Sequence, residues 1–172
     1  NRIDPTEYSF VVKREQEVKY EPLEYTHTEY DGSTSSACVA GGRARRILTL
    51  ENYDVGNNAT PDLGNNRFRL NAGIYDCEVM AQAYGATGGF RIYLVADGVD
   101  HFVGGGFSDQ YNSVTTYGKV NLNLSTTSWV FVAHDCGTSN GAYDMGMPVA
   151  SGTGATAYSG GHTFTRVTCI RN

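Results

Sequence analysis

One stretch of the sequence, residues 66–83 with the letters NRFRLNAGIYDCEVMAQA, constrains the fold more than any other. It predicts a short strand over residues 67–70, a tight turn at residues 71–73 and a long strand that continues to about Tyr84. In the long strand, small or apolar residues alternate with mostly polar ones: Tyr75, Cys77, Val79, Ala81 and Ala83 against Asp76, Glu78, Met80 and Gln82. A period of two is typical of a half-buried strand, so we expect the first set in a core and the second set to face outward.

The rest of the chain favours the same kind of element. Glycine (21 residues) and tyrosine (12 residues) are abundant, and no window shows a helical period. Further strands are predicted at residues 46–53, 90–96, 101–104, 113–124, 128–134 and 162–170, with an Asp-Gly hairpin turn at residues 97–98 and a bulge at Gly118. The predicted fold is therefore all-β, an antiparallel jelly-roll sandwich of about eight strands with an extended N-terminal arm.

The beginning of the chain has a different composition. Residues 1–30 hold most of the glutamates and no glycine. We predict an extended N-terminal arm and linker over residues 1–42 and a jelly-roll head domain over residues 43–172. An arm with exposed aromatic side chains needs a partner surface, so subunit contacts are expected at Tyr8, Phe10, Tyr20 and Tyr25. Met80, on the outward face of the long strand, is a further candidate for a subunit contact.

Charge and hydropathy exclude two classes of function. The net charge of −5 argues against nucleic-acid binding, which normally needs a basic face. The one basic cluster, Arg43, Arg45 and Arg46, is expected to be a solvated strand end or to pair with nearby carboxylates. No apolar run approaches the roughly 20 residues of a membrane span, so no membrane insertion is expected.

The four cysteines, Cys38, Cys77, Cys136 and Cys169, form no CxxC pair that would indicate zinc or redox chemistry. The favoured interpretation is that they are free thiols acting as small core residues. A disulfide such as Cys136–Cys169 is the open alternative, since pairing cannot be read from spacing.

No catalytic or metal-binding arrangement is predicted. The four histidines lack the spacing of metal ligands, and His134 with Cys136 is expected to be a structural pair on one strand rather than a nucleophile and its base. Residues 97–101 are expected to form a hairpin, with a calcium site as the alternative. Asn58 and Asn123 match the N-glycosylation acceptor pattern, which is also frequent by chance.

Two loops combine an aromatic ring with amide or acid groups, a mixture that suits the hydroxyl array of a carbohydrate. Ordinary loop packing is the alternative for each of these residues. The candidate receptor-binding or glycan-binding residues are Asp109, Tyr111, Asn112, Asn140, Tyr143 and Asp144.

The order of features along residues 43–172 resembles a known family. An arginine-led strand (residues 45–52) precedes a turn-strand of the form NxFxLxAGxYxxxxxAxAY (residues 66–84), and a run ending in His134-x-Cys136 leads to Asn140-Gly141. This series resembles the C-terminal head domains of phage tail and fibre proteins, which are similar to the trimeric jelly-roll heads of the complement and tumour-necrosis-factor type. The resemblance implies a homotrimer that is not an enzyme and carries no cofactor.

The predicted function is therefore that of a structural virion surface protein of a bacteriophage. It would be a trimeric tail-fibre or head-fibre tip that attaches to a host surface glycan or other receptor, while its arm contacts other virion proteins. One alternative is a capsid decoration or cement protein whose arm stitches capsomers. A further alternative is a secreted complement-like lectin, which would need a signal peptide and paired cysteines.

Overall fold

The computed structural model describes residues 20–29, 38, 40–84, 88–107, 113–137 and 162–172. Within these residues the chain forms eleven strands and one short 3-10 helix, Leu63–Asn65. The strands are β1 (Glu21–Glu29), β2 (Arg43–Arg45), β3 (Leu50–Asp54), β4 (Ala59–Asp62), β5 (Arg67–Leu70), β6 (Gly73–Tyr84), β7 (Phe90–Ala96), β8 (Val99–Gly106), β9 (Ser113–Leu124), β10 (Ser128–Cys136) and β11 (His162–Arg171).

The strands form two antiparallel sheets that enclose one apolar core. The first sheet has the order β3-β1-β11-β6-β9, and the second has the order β4-β5-β10-β7-β8, with β2 also paired to β10. Buried side chains from both sheets make up a single cluster. The predicted all-β jelly-roll sandwich is confirmed, with more strands than the predicted eight because short strands occupy segments that were predicted as loop or arm.

Residues 66–83 fold into the predicted strand, turn and strand. β5 and β6 have the predicted bounds, and β6 lies between β11 and β9 in the first sheet. Its small and apolar residues, from Tyr75 to Ala83 at every second position, are at most 2% exposed. Asp76 and Glu78 face solvent. The period of two therefore identified the core face. On the opposite face the expectation is confirmed for Asp76 and Glu78, whereas Met80 is buried and Gln82 is half-buried.

The Asp-Gly hairpin between β7 and β8 is also confirmed. Asp97 has φ of 52° and Gly98 has φ of 73°, both in the left-handed region that a tight two-residue hairpin turn requires. Glycine adopts this region without strain and aspartate tolerates it.

The predicted continuous strand over residues 46–53 is wrong. β2 ends at Arg45 in the second sheet, and β3 begins at Leu50 in the first sheet. The residues between them cross from one sheet to the other, and the side chains of Arg46 and Leu48 are buried there. A segment that changes sheets cannot be one strand.

The predicted bulge at Gly118 is wrong as well, because the β6–β9 ladder runs without a register shift from Gly73 to Tyr84. The glycine has a different purpose. A Cβ at this position would clash with the carbonyl oxygen of Val103 on β8. Gly118 therefore permits the close approach of the β8 backbone.

Part of the predicted arm belongs to the sandwich. β1 is an inner strand of the first sheet, hydrogen-bonded to β3 on one side and β11 on the other. Leu23 and Tyr25 are fully buried on its core face, with Glu24 on the other face. Residues 21–29 therefore form an inner strand of the sandwich, although their acidic composition placed them in the predicted arm over residues 1–42. Residues 1–19 lie outside the described residues.

The prediction of free thiols is wrong, and so is the alternative Cys136–Cys169 pairing. The disulfides join Cys38 to Cys136 and Cys77 to Cys169. Cys77 and Cys169 stand directly opposite each other in the β6–β11 register, with Cα atoms 4.1 Å apart. The pairing follows from strand register, which the spacing of cysteines in a sequence does not reveal.

Candidate functional site

The His134 and Cys136 pair has a structural role. The sulfur of Cys136 forms a disulfide with Cys38, so this residue has no thiolate to act as a nucleophile. His134 is buried, and its Nδ1 lies 2.8 Å from Nη1 of Arg46. Burial, with a contribution from the Arg46 charge, lowers the pKa of His134 to about 3. The ring is therefore neutral at neutral pH, and its Nδ1 accepts a hydrogen bond from the guanidinium.

Arg46 links the two sheets through the core. Besides His134 on β10, it donates hydrogen bonds to the carbonyl oxygens of Gln82 and Phe164 and to Oγ1 of Thr165, all of which belong to the first sheet. Burial lowers the pKa of Arg46 to about 9, so the group remains protonated at neutral pH. These contacts explain why an arginine from the basic cluster is in the core rather than at a solvated strand end.

No group of three or more His, Cys, Asp or Glu side chains within the described ranges could hold a metal ion. In the segment 97–101, where calcium was the alternative, Asp97 forms the hairpin turn and Asp100 ion-pairs with Arg43 at 2.8 Å. Among the same residues, no helix is long and apolar enough to cross a membrane.

An open cleft of about 610 Å³ lies at one end of the sandwich, where β2 and β7 begin and β8 and β10 end. We call it the end cleft. Glycine backbone forms much of its wall, and the lining residues are Gly41, Gly42, Arg43, Gly88, Gly89, Phe90, Arg91, Gly106, Phe107, Asp135, Cys136 and Gly137.

Main-chain hydrogen bonds fix the wall of the end cleft. The Gly137 N–H donates to the Gly89 carbonyl at 2.8 Å, and the Gly41 N–H donates to the Cys136 carbonyl at 2.7 Å. The disulfide from Cys136 adds a covalent link to this wall. The cleft is therefore held in shape before any ligand arrives, which lowers the entropic cost of binding.

The end cleft combines an exposed ring with charged groups. Phe107, which is 80% exposed, and the exposed Arg91 both line it. Arg43 forms ion pairs with Asp135 and Asp100, and these hydrogen bonds raise the pKa of Arg43 above its ordinary value. A ring beside fixed polar groups can bind a ligand that has both an apolar face and hydroxyl or acid groups.

The six candidate glycan-binding residues lie outside the described residues. Asp109, Tyr111 and Asn112 follow Phe107 along the chain, and the group that begins with Asn140 follows Gly137. Both Phe107 and Gly137 line the end cleft. The cleft was not predicted from the sequence, where its signal is two glycine pairs and one glycine triplet at strand ends (41–42, 88–89 and 104–106).

The candidate subunit-contact residues have different fates. Tyr20 is 67% exposed and available for contact, whereas Met80 lies on an outward row of β6 but is only 7% exposed. The predicted subunit contact at Tyr25 is wrong. Its side chain is fully buried, its ring stacks on Phe68 with ring centroids 4.3 Å apart, and its hydroxyl donates a hydrogen bond to Glu51. Tyr8 and Phe10 lie outside the described residues.

The outer face of the first sheet carries large apolar side chains that the sequence argument did not single out. Each is paired across the sheet with an outward-facing residue: Leu50 with Thr26, Tyr53 with Glu24, Ile74 with Asn123 and Tyr117 with Met80. Their exposed fractions are 52% for Leu50, 40% for Tyr53, 52% for Ile74 and 62% for Tyr117. These four residues are called the first-sheet patch below.

The two acceptor patterns for N-glycosylation differ in access. Asn58 is fully buried: its side-chain amide donates to Glu21 and its side-chain oxygen accepts from Arg171. It is therefore a structural residue of the folded chain. Asn123 is exposed on β9.

No protein-family model matches the sequence. No curated protein matches it either.

Solved structures do match the fold. Murine APRIL at pH 5.0 superposes with a TM-score of 0.57 at 9% identity, covering 90% of this chain and 100% of the other. The globular domain of the zebrafish complement 1qA protein gives 0.52 at 12% identity, with 90% and 100% covered. Eiger TNF from S. frugiperda gives 0.50 at 9% identity, with 89% and 92% covered. The chain therefore has the jelly-roll fold of the tumour-necrosis-factor and complement C1q type, which confirms that resemblance at the level of fold.

Proposed function

We propose that this chain is a homotrimeric binding head, without catalytic activity, in which three jelly rolls pack through the outer faces of their first sheets. The observation that carries the proposal is the first-sheet patch, whose four large apolar side chains are 40–62% exposed in the single chain. Burying apolar surface contributes about 25 cal/mol per Å², so a partner that covers these side chains would stabilise the assembly.

Two further observations favour three copies. The fold is that of the tumour-necrosis-factor and C1q type, and the order of sequence features resembles trimeric head domains. A cyclic arrangement of three copies also closes on itself, so every copy covers its patch without leaving an open edge for further growth.

The end cleft is the proposed binding site, and a surface glycan is the proposed ligand. Phe107 offers a ring on which a sugar can stack, and the nearby Arg91 and Asp135 offer a donor and an acceptor for its hydroxyls. Three copies of a weak site on one rigid trimer raise the overall affinity for a surface that displays many glycans.

The proposed location is the surface of a bacteriophage virion, as a tail-fibre or head-fibre tip. The series of features from the arginine-led strand to Asn140-Gly141 supports this placement. The N-terminal residues would contact other virion proteins. The alternative location on the virion is the capsid shell. There the same trimer would be a decoration protein whose N-terminal residues join neighbouring capsomers.

A second candidate is a secreted complement-like lectin, and the two disulfides favour it. Disulfides form and persist in oxidising compartments and are rare in the reducing cytosol. Antibody labelling followed by electron microscopy distinguishes these placements. Label at a tail tip supports the fibre, label on the shell supports the decoration protein, and label absent from particles but present in the secreted fraction supports the lectin.

The trimer is tested with two matched substitutions. Tyr117 in the first-sheet patch and Phe102 on the outer face of the second sheet are 62% and 61% exposed. Tyr117→Glu should convert the assembly to monomers in sedimentation velocity, because it places a charge in the proposed interface. Phe102→Glu should leave the mass unchanged. Equal effects of the two substitutions would refute the proposed interface.

The ligand is tested on a glycan array with the wild-type chain and Phe107→Ala. We expect the wild type to bind a defined subset of glycans and the variant to lose at least about tenfold in affinity for them, as stacking on one aromatic ring typically contributes. Phe102→Ala is the control, with no expected loss. A wild-type trimer that binds no glycan, or a Phe107→Ala variant that binds normally, would contradict this assignment.

A further inference from the structure

Four arginines stand in a line along one edge of β10, on the outer face of the second sheet. β2 and β5 both pair with β10 on the edge opposite β7, so they lie end to end along that edge. The register places Arg69 beside Trp129, Arg45 beside Ala133 and Arg43 beside Asp135. Arg67 precedes Arg69 by two residues on β5 and therefore shares its face. We call Arg43, Arg45, Arg67 and Arg69 the arginine row.

Aromatic rings of the same face hold the arginine row in place. The guanidinium carbon of Arg67 lies 3.8 Å from the centre of the Trp129 ring, and that of Arg69 lies 5.6 Å from it. Arg45 lies 4.1 Å from the centre of the Phe131 ring. An arginine stacked on a ring keeps its planar N–H donors free to bind a carboxylate or sulfate in a fork geometry, with less side-chain entropy left to lose.

Part of the charge in the row is not neutralised. Arg43 forms ion pairs with Asp135 and Asp100, and Arg67 forms one with Asp62 at 2.7 Å. Arg45 donates to the main-chain oxygen of Asn65, and within the described part of the chain neither Arg45 nor Arg69 has a carboxylate partner. Burial lowers the pKa of Arg45, and the positive charge of Arg67 lowers it further, while the nearby Asp62 acts in the opposite direction. With four arginines against Asp62, Asp100 and Asp135, the row keeps a small positive excess in a chain whose net charge is −5.

We propose that the arginine row binds an extended acidic polysaccharide, a sugar chain bearing carboxylate or sulfate groups, along the flank of the sandwich. Successive arginines of one strand are spaced by about 6.7 Å, and the row extends over about 20 Å, so a straight chain with repeating acid groups can meet several of them. The row meets the end cleft at Arg43, but Arg45, Arg67 and Arg69 lie outside the lining of the cleft and away from the first-sheet patch. Binding by these three residues therefore does not depend on the proposed trimer or its glycan.

The covered rings favour a polysaccharide over a single-stranded nucleic acid. Bases bind to open aromatic faces, on which they stack one after another. Here an arginine lies over each of three rings, namely Trp129, Phe131 and Tyr93. The face thus offers an ordered set of fork-shaped donors rather than a stacking platform.

Binding of four immobilised polymers to the full chain tests the proposal. The polymers are polygalacturonate for carboxylate, dextran sulfate for sulfate, neutral dextran, and a single-stranded oligothymidylate, each measured by interferometry at about 50 mM and about 200 mM salt. We expect binding to one or both acidic polysaccharides that weakens with salt, and the preferred polymer identifies the acid group. Equal or stronger binding of neutral dextran or oligothymidylate would overturn the proposal, as would the absence of binding to both acidic polymers.

Matched variants separate the arginine row from general charge effects. Arg69→Gln and Lys119→Gln each remove one positive charge from an exposed residue, the second from the outer face of the first sheet. We expect Arg69→Gln to weaken binding severalfold, the double variant with Arg45→Gln to weaken it at least about tenfold, and Lys119→Gln to leave it unchanged. Equal losses for Arg69→Gln and Lys119→Gln would overturn the proposal. Unchanged urea midpoints and an unchanged mass in sedimentation velocity show that the variants are folded and keep the same assembly, which matters for Lys119 because it lies on the face of the proposed trimer interface.

Discussion

The contact between His134 and Arg46 predicts how the stability of the fold depends on pH. The ordinary pKa of the His134 side chain is 6.5, and in the folded chain it is about 3. Between these two values the unfolded chain binds a proton that the folded chain excludes. The free energy of unfolding is therefore not reduced by His134 above pH 6.5, and it decreases progressively as the pH falls from 6.5 towards 3.

The magnitude follows from the two pKa values. Each pH unit inside the window costs about 1.4 kcal/mol of unfolding free energy. At about pH 5, roughly 1.5 units below the ordinary pKa of histidine, the chain should have lost about 2 kcal/mol relative to about pH 8 through His134 alone. This value depends only on a folded-state pKa well below 5, as expected for a ring buried against a guanidinium.

Urea denaturation at both pH values, at one protein concentration, measures this loss. His134→Asn is the comparison variant, because its side-chain oxygen can accept the Arg46 hydrogen bond without titrating. The wild type should lose about 2 kcal/mol more than the variant between about pH 8 and about pH 5. Parallel losses in the two proteins would refute the reasoning. Nuclear magnetic resonance titration gives a second measurement, in which the ring signals of His134 should not shift above about pH 5.

Two further perturbations test the packing of the sandwich. Gly118→Ala should destabilise the fold by about 1–3 kcal/mol, because the new methyl group meets the Val103 carbonyl. Gly64 has open space around it, so the control Gly64→Ala should change the urea midpoint little. Equal midpoints for the two variants would contradict the close approach of β8. Removing the Cys77–Cys169 disulfide with alanines should cost about 4.6 kcal/mol in the chain-entropy account, since it closes a loop with a sequence separation of 92. A variant as stable as the wild type would contradict the account of that bond.

The sequence could predict those elements whose inner and outer faces differ in polarity. β6, β7 and β9 have the predicted bounds because their buried positions alternate with, or are bounded by, polar and turn residues. The crossing segment after β2 could not be predicted in this way. Arg46 looks like a solvated residue in sequence, yet carbonyls from β6 and β11, distant along the chain, satisfy its donors in the core.

Features that depend on register lay beyond the sequence argument. The Cys77–Cys169 pair is set by which residues of β6 and β11 stand opposite each other, and the arginine row is set by how β2 and β5 align with β10. The end cleft is likewise assembled from the ends of four strands that are far apart in sequence. Composition identified glycine as abundant, but only the fold brings those glycines to one end of the sandwich.

The central claim is that three copies cover one another's first-sheet patches, and native mass spectrometry of the wild-type chain at micromolar concentration tests it most directly. We predict one dominant species with three times the 18.6-kDa mass of the chain. A dominant species at the mass of the single chain would contradict the account, because the four apolar side chains of the patch would then remain in water.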